Sequence, residues 1–241
     1  IRLKLEHSKR VFREIHSLGR ELGLNEEELE LADLMGLYHD IGRFEQYRRY
    51  ETFVDARSED HASLGVGILK GEGLLDHLTE DRRELILQAI ELHNKAELPS
   101  DLPERTLWFA RLLRDADKLD IWKVVTDYYE ERDGEKNSAI ELDLPDRPEI
   151  SPPVYEDLLN RRPVAFSHMA TVNDFKLLQM GWIFDLNFEA SIYRARNRGY
   201  VEKIRATLPD LPEAETIYSA LVEYMDELLA EYEPADGAAR Q

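Results

Sequence analysis

The chain has 241 residues, of which 43% are hydrophobic, and this is enough to bury one sizeable core or a core with a smaller appended helical layer. Asp and Glu number 50 against 31 Lys and Arg, and the resulting net charge of −19 disfavours binding to the phosphate backbone of long nucleic acids. The sequence has no cysteine, which excludes disulfides, thiolate zinc sites, iron–sulfur clusters and cysteine nucleophiles, so that any metal must be held by imidazole and carboxylate.

Neither a membrane span nor a signal peptide is indicated. No window approaches the roughly 18 unbroken apolar residues that a membrane span needs. The opening segment, IRLKLEHSKR, is basic and amphipathic and lacks an apolar run with a small-residue cleavage site. We therefore predict a cytoplasmic protein with no membrane partner.

Apolar residues recur at helical spacing through most of the first half of the chain, which predicts an all-α fold. The first predicted helix ends near Gly23, and its apolar stripe, extended back by one turn, reaches His7. The stripe consists of Val11, Ile15, Leu18 and Leu22.

The second predicted helix starts after Asn25, a typical N-cap residue with Glu28 three positions later. Its apolar stripe predicts an end near Gly42. His39 and Asp40 are then expected in its last turn.

Residues 43–57 are polar and aromatic, and we expect them to form a loop. Ser58 can cap the next helix, which places His61 in the first turn of that helix. A fourth helix is predicted from about Thr79, and its buried stripe ends at His93.

A fifth predicted helix begins after Pro103, and its apolar stripe ends at Asp117.

We expect residues 1–130 to form the catalytic core. Residues 131–153 are rich in charge, Pro and Gly, which is typical of a long surface loop or lid. We predict a C-terminal helical extension over 154–232 that packs on the core, and a disordered tail over 233–241. The helical patterns of the extension lie near 154–161, 170–197 and 213–232.

Polar residues that stand near helix ends form a candidate metal-binding set. Taken alone, each histidine is more often a satisfied core residue than a ligand. Here, however, five predicted helices each deliver a member of the set, whereas His16 and His77 fall outside it. Imidazole and carboxylate ligands suit Fe, Mn, Co, Ni or Zn, and an aspartate can bridge two ions. The candidate ligands are His7, His39, Asp40, His61, His93 and Asp117.

This ordered set resembles the HD superfamily, whose pattern is a His, an adjacent His-Asp pair, one or more further His and a distant Asp. The matching stretches are EHSKRV, LYHDIGRF, EDHASLG, ELHNK and RDADKLD. The resemblance implies an HD-domain helical bundle over about residues 1–130. It also implies that His7, His39, Asp40 and Asp117 bind one metal.

The further histidines, His61 and His93, match superfamily members that hold a second ion bridged by the Asp of the pair, here Asp40. The stretch RDADKLD offers both Asp115 and Asp117. The Ala-Asp position of the superfamily and the helical phase both favour Asp117.

Two basic residues are candidate contacts for phosphate. Arg43 follows the HDIG stretch, and a guanidinium at this position can bind phosphate oxygens in a bidentate way. Lys118 adjoins Asp117 and is the second candidate. For each residue, the alternative is an ion pair with neighbouring acids.

The resemblance implies a metal-dependent phosphohydrolase that uses one or two divalent ions, drawn from Fe, Mn, Ni, Co, Zn or Mg. We expect hydrolysis of a phosphoester or phosphoanhydride in a small molecule, such as a nucleotide, by metal-activated water, with Asp40, Arg43 and Lys118 at the reacting centre. Two alternatives stay open at this point. One is a dinuclear-iron oxygenase of the HD fold, and the other is a nucleotide-binding regulatory domain.

Overall fold

The computed structural model describes residues 1–131 and 138–234, and all regular elements of these two ranges are helical. This confirms the all-α prediction. No helix in the described ranges is long and apolar enough to cross a membrane. The α-helices are α1 (Arg2–Glu21), α2 (Glu26–Tyr38), α3 (Ile41–Tyr50), α4 (His61–Gly71), α5 (Glu80–Leu92), α6 (Glu104–Glu131), α7 (Ser138–Glu141), α8 (Pro152–Leu159), α9 (Val172–Gly181), α10 (Glu189–Asn197), α11 (Tyr200–Arg205) and α12 (Pro212–Leu228).

The chain divides into two compact units, Ile1–Asp120 and Ile121–Gln241. The boundary falls within α6, whereas the sequence placed the end of the core near residue 130. Within the segment predicted as a loop or lid, residues 138–141 form the short helix α7. Residues 132–137 of that segment, and 235–241 of the predicted disordered tail, lie outside the described ranges.

In the first unit, α1 packs on α2, α2 and α4 pack on α5, and α3 packs on α4. Of the apolar stripe predicted for the first helix, Val11, Ile15 and Leu18 are buried, whereas Leu22 is half-buried and is the C-cap of α1. Each fully buried aliphatic side chain contributes about 1.5–3 kcal/mol relative to the exposed state. The buried residues include Val11, Ile15, Leu18, Leu31, Met35, Leu69, Ile86, Ala89, Ile90, Phe109, Leu112 and Leu113.

Two glycines allow close approaches between helices that bring site residues together. A Cβ atom at Gly42 would lie 2.0 Å from the carbonyl oxygen of His61, so a larger residue is excluded where α3 meets α4. A Cβ atom at Gly36 would lie 2.7 Å from Ile15 Cγ2, where α2 meets α1. The first contact holds Asp40 near the start of α4, and the second holds the end of α2 against α1.

The second helix begins as predicted but ends earlier. Asn25 forms a capping box with Glu28, in which each side chain accepts a hydrogen bond from the backbone N–H of the other residue. The prediction that this helix continues to Gly42 is wrong, because α2 ends at Tyr38. His39 is then its C-cap, and Asp40 is the N-cap residue of α3.

The predicted loop over 43–57 is largely helical, since α3 runs to Tyr50. None of the apolar side chains of this helix is buried, and its buried residues are Gly42 and Gln46. Its turns are instead supported by ion pairs from Glu45 to Arg48 at 2.5 Å and to Arg49 at 2.7 Å, which lie three and four residues further along.

The predicted cap of α4 is also wrong. Asp60, not Ser58, is the N-cap, and its carboxylate accepts hydrogen bonds from the backbone N–H groups of Ala62 and Ser63. The Ser58 hydroxyl instead donates to the carbonyl of Val54 at 3.0 Å. The prediction that His61 lies in the first turn of α4 is confirmed.

The second unit packs α8 against α9 and α12, and α11 against α9, α10 and α12. Its core includes Trp122, which donates from Nε1 to the carbonyl of Gln179 at 2.8 Å. The helical pattern predicted over 170–197 is interrupted by a 3₁₀ turn at Trp182–Asp185. Asn187 donates to the Asp185 carbonyl at 3.2 Å, a local bond that competes with helix continuation.

Candidate metal centre

The first unit brings the predicted ligands into one cluster. His7 comes from α1, His39 and Asp40 stand between α2 and α3, and His61 opens α4. His93 is the C-cap of α5, and Asp117 lies on α6. The four histidines and Asp40 are at most 5% exposed, and the Asp117 side chain is 15% exposed.

His39 and His93 occupy equivalent local positions. Each is a helix C-cap, and each ring donates from Nδ1 to the carbonyl three residues earlier. Gly36 accepts from His39 at 2.9 Å, and Ile90 accepts from His93 at 2.7 Å. Because a carbonyl can only accept, Nδ1 of each ring carries a proton, and the corresponding tautomer has its lone pair on Nε2.

His7 and His61 are oriented by carboxylates instead. Nδ1 of His7 is 2.6 Å from Asp120 Oδ2, and Nδ1 of His61 is 2.6 Å from Asp55 Oδ2. An ionised carboxylate also only accepts, so Nδ1 is again the donor. The Nε2 atoms of all four rings are therefore available for metal binding.

The first group of ligand atoms joins His7, His39, Asp40 and Asp117. The two Nε2 atoms are 3.2 Å apart, and Asp117 Oδ1 lies 3.0 Å from His7 Nε2 and 3.6 Å from His39 Nε2. Asp40 Oδ2 lies 3.6 and 3.8 Å from the same two nitrogens. Ligand atoms at about 2.1 Å from one ion are spaced roughly 3.0–3.4 Å apart. The distances from His7 Nε2 to His39 Nε2 and to Asp117 Oδ1 fall in this range, and the other three are 0.2–0.4 Å longer than its upper end.

The second group joins His61, His93 and the other oxygen of Asp40. The Nε2 atoms of the two histidines are 3.1 Å apart. Asp40 Oδ1 lies 3.5 Å from His61 Nε2 and 4.0 Å from His93 Nε2. Each oxygen of Asp40 thus faces a different histidine pair.

The cluster fits a bound cation. Asp117 Oδ1 is a buried carboxylate oxygen with no hydrogen-bond partner among the described residues. The Nε2 lone pairs of each histidine pair face one another at little more than 3 Å, an arrangement that is repulsive unless a proton or a metal ion lies between them. The donor set is imidazole and carboxylate, which suits divalent transition metals.

The electrostatics of the cluster favour the same conclusion. Burial, together with the neighbouring His61 and His39, lowers the pKa of His93 to about 3 and keeps this ring neutral. Burial also lowers the pKa of His7, but the carboxylates of Asp117 and Asp120 outweigh it and raise this pKa to about 9. The carboxylates around His7 therefore attract positive charge, which a metal ion can supply in place of the proton.

The structure also shows the surroundings of the predicted phosphate contacts. Arg43 donates from Nη1 to Asp55 Oδ1 at 2.8 Å, to Gln46 Oε1 at 3.0 Å and to the Phe53 carbonyl. Its Nε atom is buried without a hydrogen-bond partner among the described residues, 3.5 Å from Asp40 Oδ1. Lys118 is 9% exposed. The phosphate role of both residues stays a prediction.

The choice between the two aspartates of RDADKLD is supported by the geometry. Asp117 belongs to a cluster with His7 and His39, whereas Asp115 joins neither candidate metal cluster of the described residues. His16 lies outside the clusters, as predicted, with Nδ1 at 3.0 Å from Asp33 Oδ1.

Sequence reasoning missed three polar neighbours of the ligands. Asp120 lies one helical turn after Asp117, and Lys4 lies one turn before His7, so helical phase could have identified both. Lys4 places Nζ 2.9 Å from Asp40 Oδ2. Asp55 lies in a 3₁₀ turn of the segment predicted as a loop, where no periodicity marks it.

Lys4→Met is expected to tighten metal binding to the first group by about fivefold. Lys4 Nζ and a bound ion compete for Asp40 Oδ2, and a partly exposed ion pair of this kind is worth ~1 kcal/mol. The measurement is a titration of metal-stripped protein with Mn²⁺. Lys9→Met is the matched control, because Lys9 pairs with the exposed Glu6 on the same helix. Weaker binding in Lys4→Met would contradict the competition.

Comparison with known proteins adds one finding. The family model of the HD domain matches residues 5–122, a span that contains all the candidate ligands. Comparisons with curated proteins and with solved structures give no match.

Proposed function

Because residues 5–122 make this chain a member of the HD-domain family, we propose that it is a metal-dependent phosphohydrolase acting on a phosphoester or phosphoanhydride bond of a small molecule. The family is one of metal-dependent hydrolases. Within it, we propose a nucleotide as the substrate class. The net charge of −19 supports a small substrate over a long nucleic acid.

One observation carries the proposal: the two oxygens of Asp40 face two separate pairs of histidine nitrogens. This arrangement supports two metal ions, and Asp40 would help to hold both of them. His7, His39 and Asp117 would complete one site, and His61 and His93 would contribute to the other. When bound, divalent metal ions activate water for attack and polarise the phosphoryl oxygen.

The residues of the chain hold and orient this centre. Backbone carbonyls and carboxylates fix the Nδ1 protons of the four histidines, so each ring needs no reorganisation to present Nε2. Arg43 keeps Nε next to Asp40, from where a guanidinium can stabilise charge that develops on the phosphoryl group. Lys118 is proposed as a second contact for phosphate oxygens.

A substrate screen tests the proposal. Metal-loaded protein is incubated with nucleoside monophosphates, diphosphates and triphosphates, cyclic nucleotides, simple phosphomonoesters and a polynucleotide, and released products are quantified. We expect turnover of at least one small phosphate compound, and none of the polynucleotide. Binding of a nucleotide without turnover would instead support a regulatory domain, and oxygen consumption by the iron-loaded protein would support an oxygenase.

A further inference from the structure

We propose that Asp55 is a positioning residue for the second metal ion, equivalent to Asp120 at the first. The inference rests on the two-ion site of the proposed function. It assigns a role to the turn Asp55–Arg57, which follows α3 and contains none of the predicted ligands.

The contact between Asp55 and His61 defines the orientation of a ligand ring. Asp55 Oδ2 is 2.6 Å from His61 Nδ1 and accepts a hydrogen bond from it. The opposite ring nitrogen, Nε2, is thereby directed at Asp40 Oδ1. The amide nitrogen of Asn94 also approaches His61 Nδ1, but at 3.4 Å, and an amide nitrogen cannot accept a hydrogen bond. Asp55 is therefore the acceptor that fixes this tautomer.

Asp55 is itself held from the other side. Its Oδ1 atom accepts from Arg43 Nη1 at 2.8 Å and from Gln46 Nε2 at 2.7 Å. Gln46 is fully buried and also donates to Ser58 Oγ at 2.8 Å, which ties the turn to α3. These bonds leave the Asp55 carboxylate little freedom to turn away from His61.

The chemical class of the partner suits this role, because a carboxylate at Nδ1 makes an imidazole a stronger metal ligand than a backbone carbonyl does. Asp120 stands at the same 2.6 Å distance from His7. Each proposed site therefore contains one histidine supported by a carboxylate and one supported by a backbone carbonyl.

The proposal is tested directly by substituting Asp55, because the substitution should affect the second ion and not the first. In Asp55→Asn, we expect the second ion to bind about 10–100-fold more weakly, the usual cost of removing an outer partner of a metal-ligating histidine. The first ion should bind as in the unaltered protein. Metal-stripped protein is titrated with Co²⁺, recording heat and the visible absorption of each bound ion, so that the readout does not depend on activity.

Two matched variants complete the experiment. Asp120→Asn should weaken the first ion and not the second. Asp33→Asn removes a carboxylate from His16, outside the cluster, and should leave both affinities unchanged.

Two outcomes would overturn the role of Asp55. One is a second-ion affinity in Asp55→Asn equal to that of the unaltered protein. The other is an equal loss of both ions together with a lower melting temperature of the metal-stripped protein, which would show a general structural role. The unaltered protein tests the proposed function separately, because a stoichiometry of one ion in that protein refutes the two-ion site before any variant is compared.

Discussion

Asp40→Ala is expected to abolish binding of both metal ions and to reduce phosphate release to the background rate. Asp40 is the only residue of the candidate set whose two oxygens face both histidine pairs, at 3.5–4.0 Å from the Nε2 atoms. Its removal also leaves Lys4 without the carboxylate that it contacts at 2.9 Å. The measurement is elemental analysis of desalted protein, together with the initial rate on the best substrate of the screen.

The control for this variant is Asp33→Ala, which removes a partly exposed carboxylate paired with His16. Circular dichroism verifies that both variants keep their helical content. If Asp40→Ala retained one ion with unchanged affinity, Asp40 would not bridge the two groups, and the division of the cluster proposed above would be wrong.

His61→Ala and His93→Ala are each expected to lower the stoichiometry from two ions to one. The remaining ion should stay at the group formed by His7, His39 and Asp117, which neither substitution touches. Activity should fall by more than about 100-fold, because the loss of even an outer partner of a ligand costs 10–100-fold. Metal titration of each variant, combined with a melting curve, provides the measurement.

The melting curve distinguishes this account from a purely structural one. If His61 and His93 were core residues whose only function is to hydrogen-bond Asp55 and the Ile90 carbonyl, their loss would lower stability and leave the metal content unchanged. His16→Ala serves as the control, since His16 pairs with Asp33 outside the cluster. A stoichiometry of two ions in either site variant would remove that histidine from the ligand set.

The sequence predicts the parts of this fold that depend on apolar periodicity. The stripes of α1 and α5 lead directly to His7 and His93, because a ligand at a helix end shares the buried face of its helix. The cap of α2 was also predictable, since the capping box of Asn25 is a local signal. These features require no knowledge of tertiary contacts.

Other features depend on contacts that local patterns do not contain. The helix α3 buries Gly42 and Gln46 and none of its apolar side chains, and the exposed pairs of Glu45 with Arg48 and Arg49 add support to its turns. The division of the ligands into two groups follows from the approach of α3 to α4 at Gly42, which no periodicity reveals. Asp55 reaches His61 through a 3₁₀ turn, so its role becomes visible only when the turn is placed against α4.

The most direct test of the central claim is a single titration that records metal occupancy and phosphate release together. Protein stripped with a chelator is reloaded stepwise with Mn²⁺, and the rate on the best substrate of the screen is measured at each occupancy. The account predicts no activity in the stripped protein, and a rate that rises as the second ion binds. The claim that the protein is a metal-dependent phosphohydrolase would be contradicted if phosphate release persisted in the stripped protein, or if its rate did not change with metal occupancy.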